Sequence, residues 1–250
     1  MLTNDRHKNR PIKRSVGIII FNYEMNSVLL VQKKCTYAFS EFVIGRYDKN
    51  NKNQLIEKLN KMTTNEKVII HSMEFEWMWY NMFMSKDKSD HYCRAFGRFF
   101  KYFLNNQRYL KNLLSQSTKN TQLLWEPPKG RKLKTESSFT CALREVTEET
   151  KLNPNSYRII PNKKIKKQLI SNNTKYIMVY YIAVMKKHEH VRMTFSDKSQ
   201  PQEISEISWV NINNLKNYNM MNDIRQSIIL NYRLLKEEMK SKHTIRECVD

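Results

Sequence analysis

Glycine is nearly missing from this 250-residue chain: Gly17, Gly45, Gly97 and Gly130 are all there are, beside six prolines. That scarcity excludes a collagen-like repeat and a low-complexity linker. It leaves each glycine as a place where the backbone asks for one. Cysteine is as sparse, with Cys35, Cys93, Cys141 and Cys248 standing alone. No two have the spacing of a zinc knuckle, and free thiols of a reducing compartment are the expectation. Long apolar runs are absent too. Val16–Phe21 and Ile177–Met185 fall far short of the roughly 20 residues of a membrane-spanning helix. The N-terminal MLTNDRHKNRPIKRS is basic with no apolar stretch of signal-peptide type behind it. We expect a soluble, unsecreted protein with no membrane span.

Acidic residues are also in deficit: 24 against 44 Lys and Arg, a net charge of +20. The excess is spread out, with +5 (7 − 2) over 1–35, +5 (13 − 8) over 36–115 and +10 (24 − 14) over 116–250. A field of this size draws polyanions such as RNA, inositol phosphates or anionic membranes. The same excess also suits a Lys-, Asn- and Ile-rich protein from an AT-rich genome.

What is present divides by texture. RSVGIIIF (14–21) and SVLLVQK (27–33) flank the polar break NYEMN and predict a hairpin. Beyond Lys34 apolar residues take helical spacing, as at Leu55, Leu59 and Met62, or Phe99, Phe103, Leu110 and Leu114. That predicts helices over 51–62, 65–84 and 89–115, with Thr64, Asn65 and Glu66 as a helix start. From Leu123 a short strand to Glu126 enters a Pro-Pro-Lys-Gly turn. A helix over 136–152 follows, then strands over 165–170, 174–186 and 203–210, with a turn at Ser171–Asn173. A short helix at 211–217 and a longer amphipathic one at 222–242 close the chain. The simplest architecture is one α/β domain, 1–35 and 116–250, with an all-helical domain inserted at 36–115.

The chemistry gathers in EPPKGRKLKTESSFTCALREVTEETKL, residues 126–152. Glu145, Glu148 and Glu149 stand at i, i+3 and i+4 of a predicted helix, so their carboxylates share a face. They serve either as a solvated acidic face or as hard oxygen ligands for magnesium or manganese. The loop before them opens on Gly130, between Lys129 and Arg131. Its amides and cations suit phosphate oxygens, and a metal joining carboxylate to phosphate would sit naturally beside them.

This segment resembles the Nudix hydrolases. Gly130, Glu136, Arg144, Glu145, Val146, Glu148, Glu149 and Leu152 fall in register with the family's box. Lys151 departs from it, where a glycine ends the helix in a left-handed turn; lysine there costs about 1 kcal/mol and removes no ligand. The resemblance implies an α/β/α sandwich with a mixed sheet. It implies Mg2+ or Mn2+ held by Glu145, Glu148 and Glu149, with the Gly130 carbonyl as a further ligand. Glu136 and Arg144 would be structural partners. Residues 203–209, EISEISW, are similar to a strand of the mRNA-decapping branch, in which Glu203 would be base and metal ligand; Glu206 is its rival. LWEPPKG (124–130) is similar to a stretch of decapping and diphosphoinositol-phosphate Nudix enzymes in which Lys129 would grip phosphate. Gln32, Phe39, Trp77 and Trp79, with their neighbours, extend the likeness to decapping enzymes of large DNA viruses, and so to the host cytoplasm.

The resemblance implies hydrolysis of a phosphoanhydride, with capped mRNA as substrate. Diphosphoinositol polyphosphates or nucleotides are the alternative. A non-catalytic RNA-binding protein on a relic fold is a third reading, which the intact glutamates oppose. A capped substrate needs a ring for the methylated base, since a cationic purine stacks on aromatics; Trp125 and Tyr176 serve there or in the core. It also needs a track for RNA. Arg94, Arg98, Lys101, Arg108 and Lys111 interleave with Phe99, Phe100, Tyr102 and Tyr109, as phosphate contacts and stacking rings would. The same pattern also describes a helix with a solvated basic face.

Overall fold

A computed structural model of the chain describes residues 11–86, 88–171, 174–194 and 199–247. The N-terminal stretch 1–10, Asn172 and Asn173 of the expected turn, and Cys248 lie outside the described residues. The chain divides into two compact units.

The first draws on Met1–Val31, Trp125–Met193 and Ile207–Asp250. The described strands are β1 (Ile12–Phe21), β2 (Ser27–Lys33), β3 (Trp125–Glu126), β4 (Lys129–Arg131), β5 (Tyr157–Ser171), β6 (Thr174–Met185) and β7 (Ile204–Asn211); they belong to this unit except for the ends Gln32–Lys33 and Ile204–Glu206. They form a mixed sheet in the order β3-β2-β1-β6-β5, with β4 paired to β1 and β7 to β2. Strand β1 runs parallel to β6 from Ile12↔Lys175 to Phe21↔Val184. It runs antiparallel to β4, with Gly17 opposite Lys129 and Val16 opposite Gly130.

The run Ile18–Phe21 is wholly buried, as a central strand covered on both faces requires. On one face Ile19 and Phe21 join Tyr180, Ile182, Leu215, Ile224 and Ile228, so the last helix, Asn222–Glu247, closes that side. On the other, the helix Ser138–Thr150 packs on β1 and β4 through the buried Cys141, Ala142 and Val146. This is the α/β/α layering that the resemblance implied. Three stretches differ from expectation: β5 begins at Tyr157 rather than 165, Lys129–Arg131 is strand rather than turn, and Glu203 ends the short helix Ser199–Glu203 instead of opening the strand expected over 203–210, which begins at Ile204.

The second unit, Gln32–Leu124 with Thr194–Glu206, holds six longer helices: α1 (Tyr37–Val43), α2 (Lys52–Asn60), α3 (Thr64–His71), α4 (Phe75–Phe83), α5 (Asp90–Tyr102) and α6 (Gln107–Gln116). The helices after them are α7 (Ser138–Thr150), α8 (Ser199–Glu203) and α9 (Asn222–Glu247). Periodicity alone joins 65–84 and 89–115 into single helices. The backbone breaks the first at Met73, which turns left-handed (φ 60°), and the second at Phe103, which leads into a 3-10 turn at Leu104–Asn106. Helix α1 has no periodic signal, being only seven residues long. Glu66 ties two helix starts together. It completes a capping box with Thr63 and accepts from both the amide and the hydroxyl of Thr36, the N-cap of α1. Phe42, Leu55, Leu59, Phe75, Phe99 and Phe103 fill the core of this unit. No helix among the described residues is long and apolar enough to cross a membrane.

Candidate active site

The first unit builds its site on β4, the loop after it and α7. Ser137 caps α7 by accepting the Thr140 amide (3.0 Å). At the other end Lys151 keeps the left-handed turn (φ 59°) of the glycine it replaces. The exit therefore follows the expected path, and the cost of about 1 kcal/mol stays in the backbone.

Arg144 is the hub of the loop. It grips both oxygens of Glu136, Nε to Oε2 at 3.1 Å and Nη2 to Oε1 at 2.9 Å. It also meets Glu145 Oε1 and Glu148 Oε2, each at 2.8 Å, and the Arg131 carbonyl at 3.3 Å. Glu136 further accepts the Leu133 amide (2.7 Å). Arg144 first, then that amide, hold the Glu136 carboxyl down at about 2. The hydrogen bonds to Glu136 first, then the charges of Glu145 and Glu148, hold the Arg144 guanidinium above its ordinary value. Burial, with the nearby Glu136 carboxylate, pushes the Cys141 thiol up to about 12, so it stays neutral under physiological conditions.

The three glutamates differ in setting. Glu145 and Glu149 are buried, at 5% and 2% exposure, while Glu148 is exposed. Glu149 Oε2 accepts the Lys129 amide at 2.9 Å. The Glu145 carboxylate lies on Gly130 so closely that a Cβ there would sit 1.9 Å from Oε2. Gly17 plays a similar part on β1, where a Cβ would meet the Pro128 carbonyl at 2.1 Å. Among the described residues no group of three or more His, Cys, Asp or Glu side chains is arranged to hold a metal ion. The carboxylates share a side of α7, but Arg144 turns two of them towards itself. As a donor set they fit magnesium or manganese, being oxygen throughout. The Gly130 cradle, which a side chain would fill, lays a buried carboxylate against the peptide whose carbonyl is the expected fourth ligand.

Other expected residues stand differently. Lys129 does not present its ammonium to solvent. It is buried and donates to the buried Glu126 at 2.7 Å. Glu126 is the residue that sequence reasoning missed; its spacing of three from Lys129 across Pro-Pro was the available signal. Arg131 is exposed. Trp125 is a core residue, 8% exposed and edge-on to Tyr218 at 5.2 Å, so it is not an open clamp for a base. Tyr176 is half-buried beneath the Lys13 ammonium.

In the helical unit Arg94, Arg98, Lys101, Arg108 and Lys111 are exposed, as is Phe100, whereas Phe99 is buried. Arg98 is anchored, donating to the Gly45 carbonyl at 2.8 Å. Glu203 belongs to this unit. It is exposed at the end of α8, and its carbonyl accepts the Lys34 amide (3.1 Å). Glu206 is exposed on β7.

The pattern of the NUDIX domain matches residues 101–231. The chain is 30% identical over 244 residues to mRNA-decapping protein g5R of one isolate of African swine fever virus, covering 93% of this chain and 99% of that protein. It is 34% identical over 211 residues to g5R of another isolate, covering 80% and 86%. Among solved structures, an Ap4A hydrolase of C. elegans in a binary complex superposes with a TM-score of 0.48 at 10% identity, covering 90% of this chain and 98% of that one. Likeness of this extent to g5R, together with the domain match over the residues that carry the Gly130–Leu152 register, makes this chain a member of the Nudix hydrolase family.

Proposed function

We propose that this Nudix hydrolase is an mRNA-decapping enzyme, cleaving the phosphoanhydride bridge of capped RNA to release 7-methylguanosine diphosphate and RNA with a 5′-monophosphate. One observation carries the reading: the likeness to proteins named for mRNA decapping runs nearly end to end, through the helical unit as well as the box. On this reading the chain works in the cytoplasm of an infected host cell.

We assign Mg2+ or Mn2+ to Glu145, Glu148, Glu149 and the Gly130 carbonyl; when bound, such an ion would acidify water and shield phosphate charge. The remaining work falls to the protein. Arg144 fixes the loop through Glu136 and sets the position of Glu145. The Lys129 amide orients Glu149. Because the Lys129 ammonium is committed to Glu126, the exposed Arg131 is the cation we assign to the leaving phosphate. For the base that takes the proton of the attacking water, the likeness of the 203–209 stretch favours Glu203, with Glu206 as the alternative.

The test is cap-labelled RNA with magnesium or manganese, beside uncapped RNA and a diphosphoinositol polyphosphate. Release of 7-methylguanosine diphosphate is expected. Turnover of the small molecule alone, or RNA binding without any turnover, overturns the reading.

We assign the RNA body to the exposed cations of α5 and α6, Arg94, Arg98, Lys101 and Arg108. Arg98 also holds Gly45, so the informative variant is Arg94→Glu with Lys101→Glu. It should weaken binding of capped RNA and flatten the salt dependence, by about 0.7 in the log–log slope for each phosphate no longer neutralised. Hydrolysis of a free cap dinucleotide should hold. Equal losses on both substrates would remove these residues from RNA binding.

A further inference from the structure

We infer that the first unit carries a second nucleic-acid site, at the end of its sheet remote from Gly130, where successive bases of single-stranded RNA stack on the two faces of Tyr23. The inference rests on the reading that RNA is the substrate. Strand β1 meets β4 at Ser15–Gly17 and reaches the hairpin turn at Asn22 five residues beyond Gly17, roughly 17 Å along an extended strand. The site is therefore separate from the carboxylates.

Tyr23 is 54% exposed in that turn. The turn is stiff: the Asn22 side chain accepts the amides of Asn26 and Ser27, both at 2.9 Å, and Met25 is held left-handed at φ 53°. A ring presented this way loses little freedom on binding. It forms a wall shared by two cavities. One, of about 270 Å³, is lined by Met185, Lys187, His188 and Trp209 as well. The other, of about 360 Å³, adds Arg158, Lys186 and Met239. Both volumes lie near the lower bound of small-molecule sites, about 300 Å³, a scale that suits one heteroaromatic base each.

The first cavity has further rings. His188 lies 5.3 Å from Tyr23 between centroids, and the Trp209 indole donates to the Glu189 carbonyl at 3.0 Å, fastening the 187–190 segment to β7. Around the two cavities stand the cations Arg158, Lys186 and Lys187, suited to the phosphates on either side of a stacked base. The acids present, Glu24 and Glu189, lie 3.5 Å from His188 and 3.9 Å from Lys187. They can accept from exocyclic base amines. Rings interleaved with cations bind single strands without sequence preference, since every base offers a π-face.

The test uses the full chain and an uncapped short oligoadenylate, followed by fluorescence anisotropy. Tyr23→Ala should weaken binding about five-fold or more, and Tyr23→Phe should restore it, because stacking needs the ring and not the hydroxyl. Hydrolysis of a free cap dinucleotide should be unchanged in both. Unaltered RNA affinity in Tyr23→Ala, no rescue by Tyr23→Phe, or no measurable oligoadenylate binding by the parent chain would each overturn the inference. Absence of cap hydrolysis in the parent chain would instead sink the decapping reading and leave the Tyr23 comparison readable.

Discussion

Glu149→Gln should lower the rate of cap hydrolysis about a hundred-fold or more, with magnesium or manganese in excess, while the protein stays folded. A hundred-fold loss corresponds to roughly 2.7 kcal/mol of transition-state stabilisation, within what one charged ligand of a catalytic ion supplies. Glu149 is the most buried of the three glutamates, and its Oε2 accepts the Lys129 amide. Glutamine can keep that hydrogen bond through its own carbonyl oxygen. The variant thus removes a charge and spares the contact that fixes β4 to α7, and its melting temperature should stay near that of the parent chain. Each readout isolates one claim. A folded variant with full activity would take Glu149 out of the chemistry. A variant that melts early would show that its carboxylate charge holds the loop together.

The chain's order of residues disclosed the frame of this site and not its internal contacts. Spacing put Glu145, Glu148 and Glu149 on one face of α7, because a helix fixes side-chain direction at every third and fourth position. It also gave the register from Gly130 to Leu152. What the carboxylates do on that face depends on a side chain that several of them share, and spacing says nothing of that. Arg144 was expected to pair with Glu136; that it also draws Glu145 and Glu148 follows from where the loop folds back. The fate of Lys129 was hidden for the same reason. A lysine beside a glycine loop suggests an open phosphate site, but β4 is buried at that position and Glu126 meets the ammonium there.

Elements were legible in proportion to their periodicity. The hairpin and α9 carry long patterns, and the sequence placed them closely. Met73 breaks the helix expected over 65–84 without proline or glycine, so composition does not mark that break; the break within 89–115 carries a signal in Asn105-Asn106, where Asn106 caps α6 by accepting the Tyr109 amide at 3.2 Å. Strand β3 shows the opposite limit. Trp125 and Glu126 are both buried, and a strand covered on both faces loses the alternation that would say which side chain points where. That is why Trp125 could be read either as a clamp or as core.

Gly130→Ala should cost ~1–3 kcal/mol of stability and most of the hydrolytic activity. The added Cβ would fall 1.9 to 2.3 Å from three atoms of the Glu145 carboxyl group, far inside contact distance. The backbone at Gly130 is paired to Val16 in the sheet and yields little. The carboxylate must therefore move, but it is buried and held by Arg144. Displacing it breaks that ion pair and withdraws one of the proposed metal ligands, so stability and activity fall together. At ~2–4 °C per kcal/mol for a chain of this size, the melting temperature should drop by several degrees. Gly97→Ala is the internal control: it lies inside α5 with nothing within 4 Å of the new Cβ. Alanine there should stabilise the helix by about 0.5–1 kcal/mol. If both variants melt alike, the requirement for glycine at 130 is not steric. If Gly130→Ala keeps its activity while losing stability, Glu145 can leave its seat without cost to the reaction, and the carboxylate ligands supplied by α7 shrink to Glu148 and Glu149.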